Sequence, residues 1–96
     1  MVERILLIKG RLGLHARAAA KLVRVASAFQ SQVVLRRLEG EVTADAKSIL
    51  SVLMLAASRG TKLQAQAVGV DEEAAMDAIE QFFAAGFGEI EPETSL

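Results

Sequence analysis

The chain has 96 residues, a formal net charge of −1, one histidine and no cysteine, and 52% of its residues are hydrophobic. That length builds one core and leaves little room for a second layer or a deep pocket, which argues against a large-cavity enzyme. Disulfide frameworks and thiolate zinc sites have no residues to use, and one imidazole is too few for most histidine-based metal centres, so no metal or cofactor is expected.

Val2 to Lys9 is rich in β-formers and ends at Gly10, and reads as a first strand. Broken by Glu3 and Arg4, it is too short and too charged for a signal peptide or membrane span, so the expected location is cytoplasmic without membrane insertion. Ala16 to Ala28 follows as a helix with Ala19, Leu22, Val23 and Ala26 at helical spacing and Arg17, Lys21 and Arg24 on the other side. Val33 to Leu38, a turn at Glu39-Gly40, and Glu41 to Ala44 form a predicted hairpin. Ser48 to Ser58 is a second predicted helix, stopped by Arg59-Gly60 with glycine as its C-terminal cap. In Thr61 to Val68, Leu63, Ala65 and Ala67 alternate with Lys62, Gln64 and Gln66, the pattern of a half-buried strand. Asp71 is placed to N-cap a last helix, with Glu72 and Glu73 complementing its dipole, Ala75, Ala78, Ile79 and Phe82 facing the core, and Gly86 ending it. Residues 89–96 form an acidic tail, expected to be mobile, beyond a single domain spanning 1–88. The order βαββαβα predicts an α+β open-faced sandwich, a four-stranded antiparallel sheet with three helices on one face.

Charge is unevenly spread. Residues 1–47 carry nine Lys/Arg and four Asp/Glu, whereas 48–96 carry two and eight. Arg11, Arg17, Lys21, Arg24 and Lys47 are candidates for an electropositive collar that steers an acidic partner or a phosphate, against the plainer reading of a solvated helix face. The second helix is apolar nearly all round, with Ser51 its one interior polar residue. A small domain covers one side of such a helix, so some of Leu50, Leu53, Met54 and Ala57 should be exposed as a partner site, against the plainer reading of a more deeply buried helix.

His15, within Gly13-Leu14-His15-Ala16-Arg17, stands between a glycine turn and a helix start. A helix N-terminus offers unpaired N–H groups and a positive dipole end, and Arg17 adds a cation. A neutral ring nitrogen with donors arranged for incoming charge meets the requirements for accepting a phosphoryl group. Together with Lys47-Ser48-Ile49 and Arg59-Gly60, this motif resembles the histidine-containing phosphocarrier (HPr) family of the phosphoenolpyruvate-dependent phosphotransferase system, over nearly the whole chain.

The resemblance implies the fold already read from the pattern. It also implies a carrier, not an enzyme: His15 takes the phosphoryl group through Nδ1 and Arg17 partners it. The histidine turn and second helix would dock enzyme I and enzyme IIA-type acceptor domains, with Lys21, Arg24, Lys47, Ile49, Leu50 and Leu53 as the docking candidates. Ser48 is a plain N-cap on local grounds, and by resemblance also a regulatory site for an HPr serine kinase/phosphorylase. Leu12-Gly13, Leu53-Met54-Leu55 and Ala85-Gly86-Phe87 look like the nitrogen-related branch, whereas Lys47-Ser48-Ile49 looks like serine-kinase-regulated carriers of sugar transport. A monomer is expected. The family's usual proline after the arginine is here Ala18, which puts the rigidity of the first turn in question.

Two other classes fit parts of the pattern. A nucleic-acid-binding domain would use Arg36-Arg37 but lacks stacking aromatics, since there is no Trp or Tyr and the four Phe fall outside the predicted strands. A non-catalytic regulatory or ligand-binding module shares the topology, and fold alone does not separate it from a carrier.

Overall fold

The computed structural model describes residues 1–88; the acidic segment 89–96 lies outside the described residues. The elements are β1 (Val2–Leu7), α1 (Ala16–Ser27), β2 (Gln32–Arg37), β3 (Val42–Asp45), α2 (Ile49–Leu53), β4 (Lys62–Val68) and α3 (Glu72–Ala84), then a 3-10 turn at Gly86–Gly88. The four strands form one antiparallel sheet in the order β1-β4-β2-β3.

Alternation of side chains gives the sheet two unlike faces. Across the register, Leu6 stands opposite Leu63, Ala65 opposite Leu35, Ala67 opposite Val33, and Leu35 opposite Ala44. All seven are buried. The other face carries Glu3, Ile5, Gln64, Gln66, Arg36 and Thr43, of which Ile5 remains 54% exposed. The helices cover the apolar face alone, with α3 on β1 and β4 and α1 against α2 and α3. Small residues at Ala65 and Ala67 let them approach the sheet closely. Phe83 and Phe87 close one end of this core, their rings 5.1 Å apart.

Several predicted details change. α1 turns Ala18, Ala19, Leu22 and Ala26 inward and leaves Val23 half-buried. α3 buries Ala75, Met76, Ile79 and Phe83, whereas Ala78 and Phe82 are half-buried. The second helix ends at Leu53, not Ser58. Leu55 and Ala56 amides donate to the carbonyls of Val52 and Leu53, tightening the last turn, and Ala56 then adopts φ 49. This reversal buries both Leu55 and Ala57, which a continued helix would have pointed away from each other. Gly60 therefore caps no helix; its N–H donates to the Ile8 carbonyl at 2.8 Å at the mouth of β4.

Asp71 occupies the N-cap position of α3 without capping it. Its carboxylate accepts the Gln30 and Ser31 amides at 2.9 Å each, together with the Ser31 hydroxyl. Ser31 is buried, so its hydroxyl needs an acceptor, and Asp71 supplies one from 40 residues away. Gly69 permits the approach: at φ +153 it packs so closely that an added Cβ would meet Ser31 Oγ at 2.5 Å.

The Ser31 hydroxyl and the Gln30 amide hold the Asp71 carboxyl below its ordinary value of 3.8 against the opposing effect of desolvation. A depressed folded-state value stabilises the fold fully above the unfolded value and loses that stabilisation as pH falls through the folded one. The melting temperature is expected to decline below about pH 4, with a shallower decline in Asp71→Asn, measured by thermal denaturation across an acid pH series. An unchanged acid slope in the variant would remove Asp71 from the account.

Candidate functional site

The turn before α1 is built from backbone contacts. The Gly13 amide donates to the Gly10 carbonyl at 3.0 Å, and the Leu14 amide donates to the Ala57 carbonyl at 2.9 Å. Gly13 sits at φ +68, where an added Cβ would lie 2.5 Å from the Ala57 carbonyl oxygen and 2.8 Å from Ser58 Cα. Glycine is required there twice over, for its conformation and for the close approach. Leu14 is 5% exposed and anchors the turn in the core.

His15 follows as the N-cap residue of α1, extended at φ −75, ψ 177. Its carbonyl accepts the Ala19 amide at 2.8 Å, starting the helical ladder. Its half-buried side chain makes no capping hydrogen bond. The first-turn amides of Ala16, Arg17 and Ala18 have no intrahelical acceptor, so they present donors at the positive end of the helix dipole. Arg17 is exposed and forms no ion pair with another described residue. Lys21 and Arg24 continue along α1 in the same stripe, four and seven positions beyond Arg17. This arrangement suits an anion bonded to the ring: a ring nitrogen, fixed N–H donors and an exposed cation.

α2 runs back alongside α1. At one end of the pair the Leu14 amide meets the Ala57 carbonyl, and at the other Lys47 Nζ donates to the Phe29 carbonyl at 2.8 Å. Lys47 thus serves the C-terminal end of α1, about 18 Å along the helix from His15, and does not belong to a collar around that residue. A cation there also complements the helix dipole. Ser48 N-caps α2, its hydroxyl accepting the Ser51 amide at 3.3 Å.

Of the apolar docking candidates, Ile49 is 41% and Leu50 72% exposed, whereas Leu53 is half-buried against the core. Met54 is 76% exposed, while Ala57 is buried. Leu12, on the histidine turn three residues before His15, is 67% exposed. Sequence reading missed Leu12 as a surface residue, although an apolar side chain inside a glycine turn was its available signal. The Ala57 carbonyl left no signal at all. Arg36 and Arg37 do not form a basic stripe, since neighbouring strand residues face opposite sides of the sheet.

Replacing Gly13 by alanine is expected to destabilise by more than the roughly 1–3 kcal/mol that a left-handed non-glycine residue costs, because the Cβ also collides with backbone. Ala56→Gly, relieving φ 49 in the segment that Gly13 packs against, should act in the opposite direction. Denaturant midpoints measure both; a neutral Gly13→Ala would mean that the turn shifts freely.

The family model for the PTS HPr component phosphorylation site matches residues 2–85. Phosphocarrier protein HPr of Xylella fastidiosa is 46% identical over 89 residues, 93% of this chain and 98% of that protein. Phosphocarrier protein NPr of Proteus mirabilis is 48% identical over 82 residues, 85% of this chain and 90% of that protein. Among solved structures, HPr from Thermoanaerobacter tengcongensis superposes with a TM-score of 0.87 at 37% identity, covering 95% of this chain and all of that one. Carriers named HPr and carriers named NPr match this chain to a comparable degree. With the fold, the position of His15 and this similarity over most of its length in agreement, the chain belongs to the HPr family of phosphocarrier proteins of the phosphotransferase system.

Proposed function

We propose that His15 accepts a phosphoryl group derived from phosphoenolpyruvate through enzyme I and passes it to an enzyme IIA-type acceptor. The reading rests chiefly on one observation: the single imidazole stands at the N-terminus of α1, two residues before Arg17 and beside the first-turn amides. Nδ1 of the neutral ring attacks phosphorus as the bond from phosphorus to the donor nitrogen breaks, and Nε2 keeps its proton. Charge on the equatorial oxygens meets Arg17 and the free amides of the first turn. Each helix-terminus contact stabilises by roughly 0.3–1 kcal/mol, enough to hold the group and little enough to release it. Forward transfer reverses the step, the acceptor's nitrogen replacing Nδ1 on phosphorus.

Docking would join two surfaces. The stripe Arg17, Lys21 and Arg24 suits an acidic partner, and Leu12, Ile49, Leu50 and Met54 supply an apolar contact beside it. Working as a cytoplasmic monomer accords with these surfaces, and among the described residues no helix is long and apolar enough to cross a membrane.

Incubation with phosphoenolpyruvate and enzyme I should place one acid-labile phosphate on the chain, and His15→Ala should abolish it while leaving the fold intact. Acid-stable label, or label persisting in the variant, would overturn the assignment. Arg17→Ala should slow transfer while costing little stability, as expected of an exposed residue with no ion pair to a described neighbour.

Ser48 is proposed as a second, regulatory phosphorylation site. A phosphate of about −1.5 to −2 charge at the start of a helix is favourable to the helix itself. Because Ser48 lies beside Ile49 and Leu50, at the far end of α2 from the Leu14–Ala57 contact, its charge would act on docking and not on the reacting ring. Ser48→Asp should weaken transfer from enzyme I at nearly constant melting temperature, whereas Ser48→Ala should lose the cap, about 0.5–2 kcal/mol, and keep transfer. Wild-type transfer by Ser48→Asp would return Ser48 to a capping role alone.

A further inference from the structure

We propose that Arg37, at the end of β2, is a positioning residue for His15. The two adjacent arginines of β2 have separate tasks. Arg36 faces the open side of the sheet and donates from Nε and Nη2 to Gln64 Oε1 at 3.2 and 2.9 Å. Arg37 faces the helix side and is half-buried. Its Nη1 donates to the Leu55 carbonyl at 2.6 Å and its Nε to the Glu39 carbonyl at 2.9 Å.

Leu55 is the point at which that contact matters. It follows the last turn of α2 and immediately precedes Ala56, whose left-handed conformation turns the chain. Two residues beyond Leu55, the Ala57 carbonyl receives the Leu14 amide, and the Gly13 backbone packs against it. A continuous path therefore runs from the Arg37 guanidinium through Leu55, Ala56 and Ala57 to Leu14, and so to His15. The planar guanidinium suits this use, since it bonds two carbonyls of different segments in fixed directions and also places a cation at the C-terminal end of α2. The β2–β3 turn, the end of α2 and the histidine turn are thereby held in one register. Loss of the contact would release the Leu55–Ala57 segment and move the imbricated Leu14 amide, shifting the imidazole relative to the donor's phosphorus.

The inference rests on His15 being the phosphoryl acceptor, and its test separates the two. Arg37→Met keeps the aliphatic stem and removes every donor; Arg37→Lys keeps one donor group that cannot reproduce the planar fork. Phosphorylation by enzyme I and phosphoenolpyruvate is followed as a function of carrier concentration, and the Leu14 and His15 amide resonances are recorded by NMR. In Arg37→Met, kcat should fall about tenfold, within the roughly hundredfold that a 1 Å misplacement can cost, with KM unchanged and the Leu14 resonance displaced. Arg37→Lys should recover part of both, and shows the same displacement in smaller degree if the methionine variant fails to fold. Wild-type kcat with unmoved Leu14 and His15 resonances would overturn the proposal, as would a change confined to KM, which would make Arg37 a docking residue. If enzyme I leaves the wild-type chain unlabelled, the reading of His15 fails instead, while the Leu14 displacement still decides whether Arg37 holds the turn.

Discussion

The approach of the Gly13 backbone to Ala57 and Ser58 governs where His15 stands. A side chain at residue 13 would occupy the space of the Ala57 carbonyl, so the two segments meet as bare backbone, sealed by the hydrogen bond from Leu14. Each partner is unusual by itself. Gly13 is left-handed, and the opposing segment reaches its position only because Ala56 is left-handed too, a conformation that costs a non-glycine residue about 1–3 kcal/mol. Burial of Leu14, Leu55 and Ala57 offsets that cost, since a fully buried leucine contributes roughly 1.5–3 kcal/mol. Core packing on either side of the turn thus maintains a backbone geometry that local preferences oppose, and the imidazole inherits its position from that core.

The same pairing of α1 with α2 divides the surface around the histidine into a charged part and an apolar part. Arg17, Lys21 and Arg24 lie along α1, Ile49 and Leu50 on α2 with Met54 just past its end, and Leu12 is exposed on the histidine turn. In the proposed docking, long-range attraction from Arg17, Lys21 and Arg24 would raise the rate of encounter, while the apolar contacts would fix orientation at short range. A relay protein has to leave each partner after transfer. Exposed charges screened by salt and a few exposed apolar side chains would give that kind of association, in contrast to a large and dry interface.

Strand periodicity was legible because it is local: the alternation of Leu63, Ala65 and Ala67 with Lys62, Gln64 and Gln66 appears unchanged in β4. The places of His15 and Ser48 at helix starts were legible for a related reason, since helix starts are marked by neighbouring residues. What escaped was decided across distance. Asp71 has the composition of an N-cap, yet a buried serine 40 residues earlier claims its carboxylate. Lys47 counts as a free cation in any reading of charge, and only the return of α2 alongside α1 brings it to the Phe29 carbonyl. The end of α2 is the clearest case. Leu53 to Ala57 continues an apolar helical pattern, and the residue that breaks it is alanine, the best helix former, held in the left-handed region by the burial of its two neighbours.

Ala18 shows how the same tertiary constraint replaces a local one. The family's usual proline fixes φ in the first turn and removes one amide donor. Here alanine occupies the third helical position after His15 and is 1% exposed, so its methyl group is held by the core around it. Rigidity at this position comes from packing, supported by the clamp at Gly13 and Leu14 one turn earlier. The amide that proline would have removed remains, and because the His15 side chain does not cap the helix, that donor is available with those of Ala16 and Arg17. Substituting alanine for proline therefore exchanges a covalent restraint for an additional hydrogen-bond donor at the end of the helix where the phosphoryl oxygens would lie.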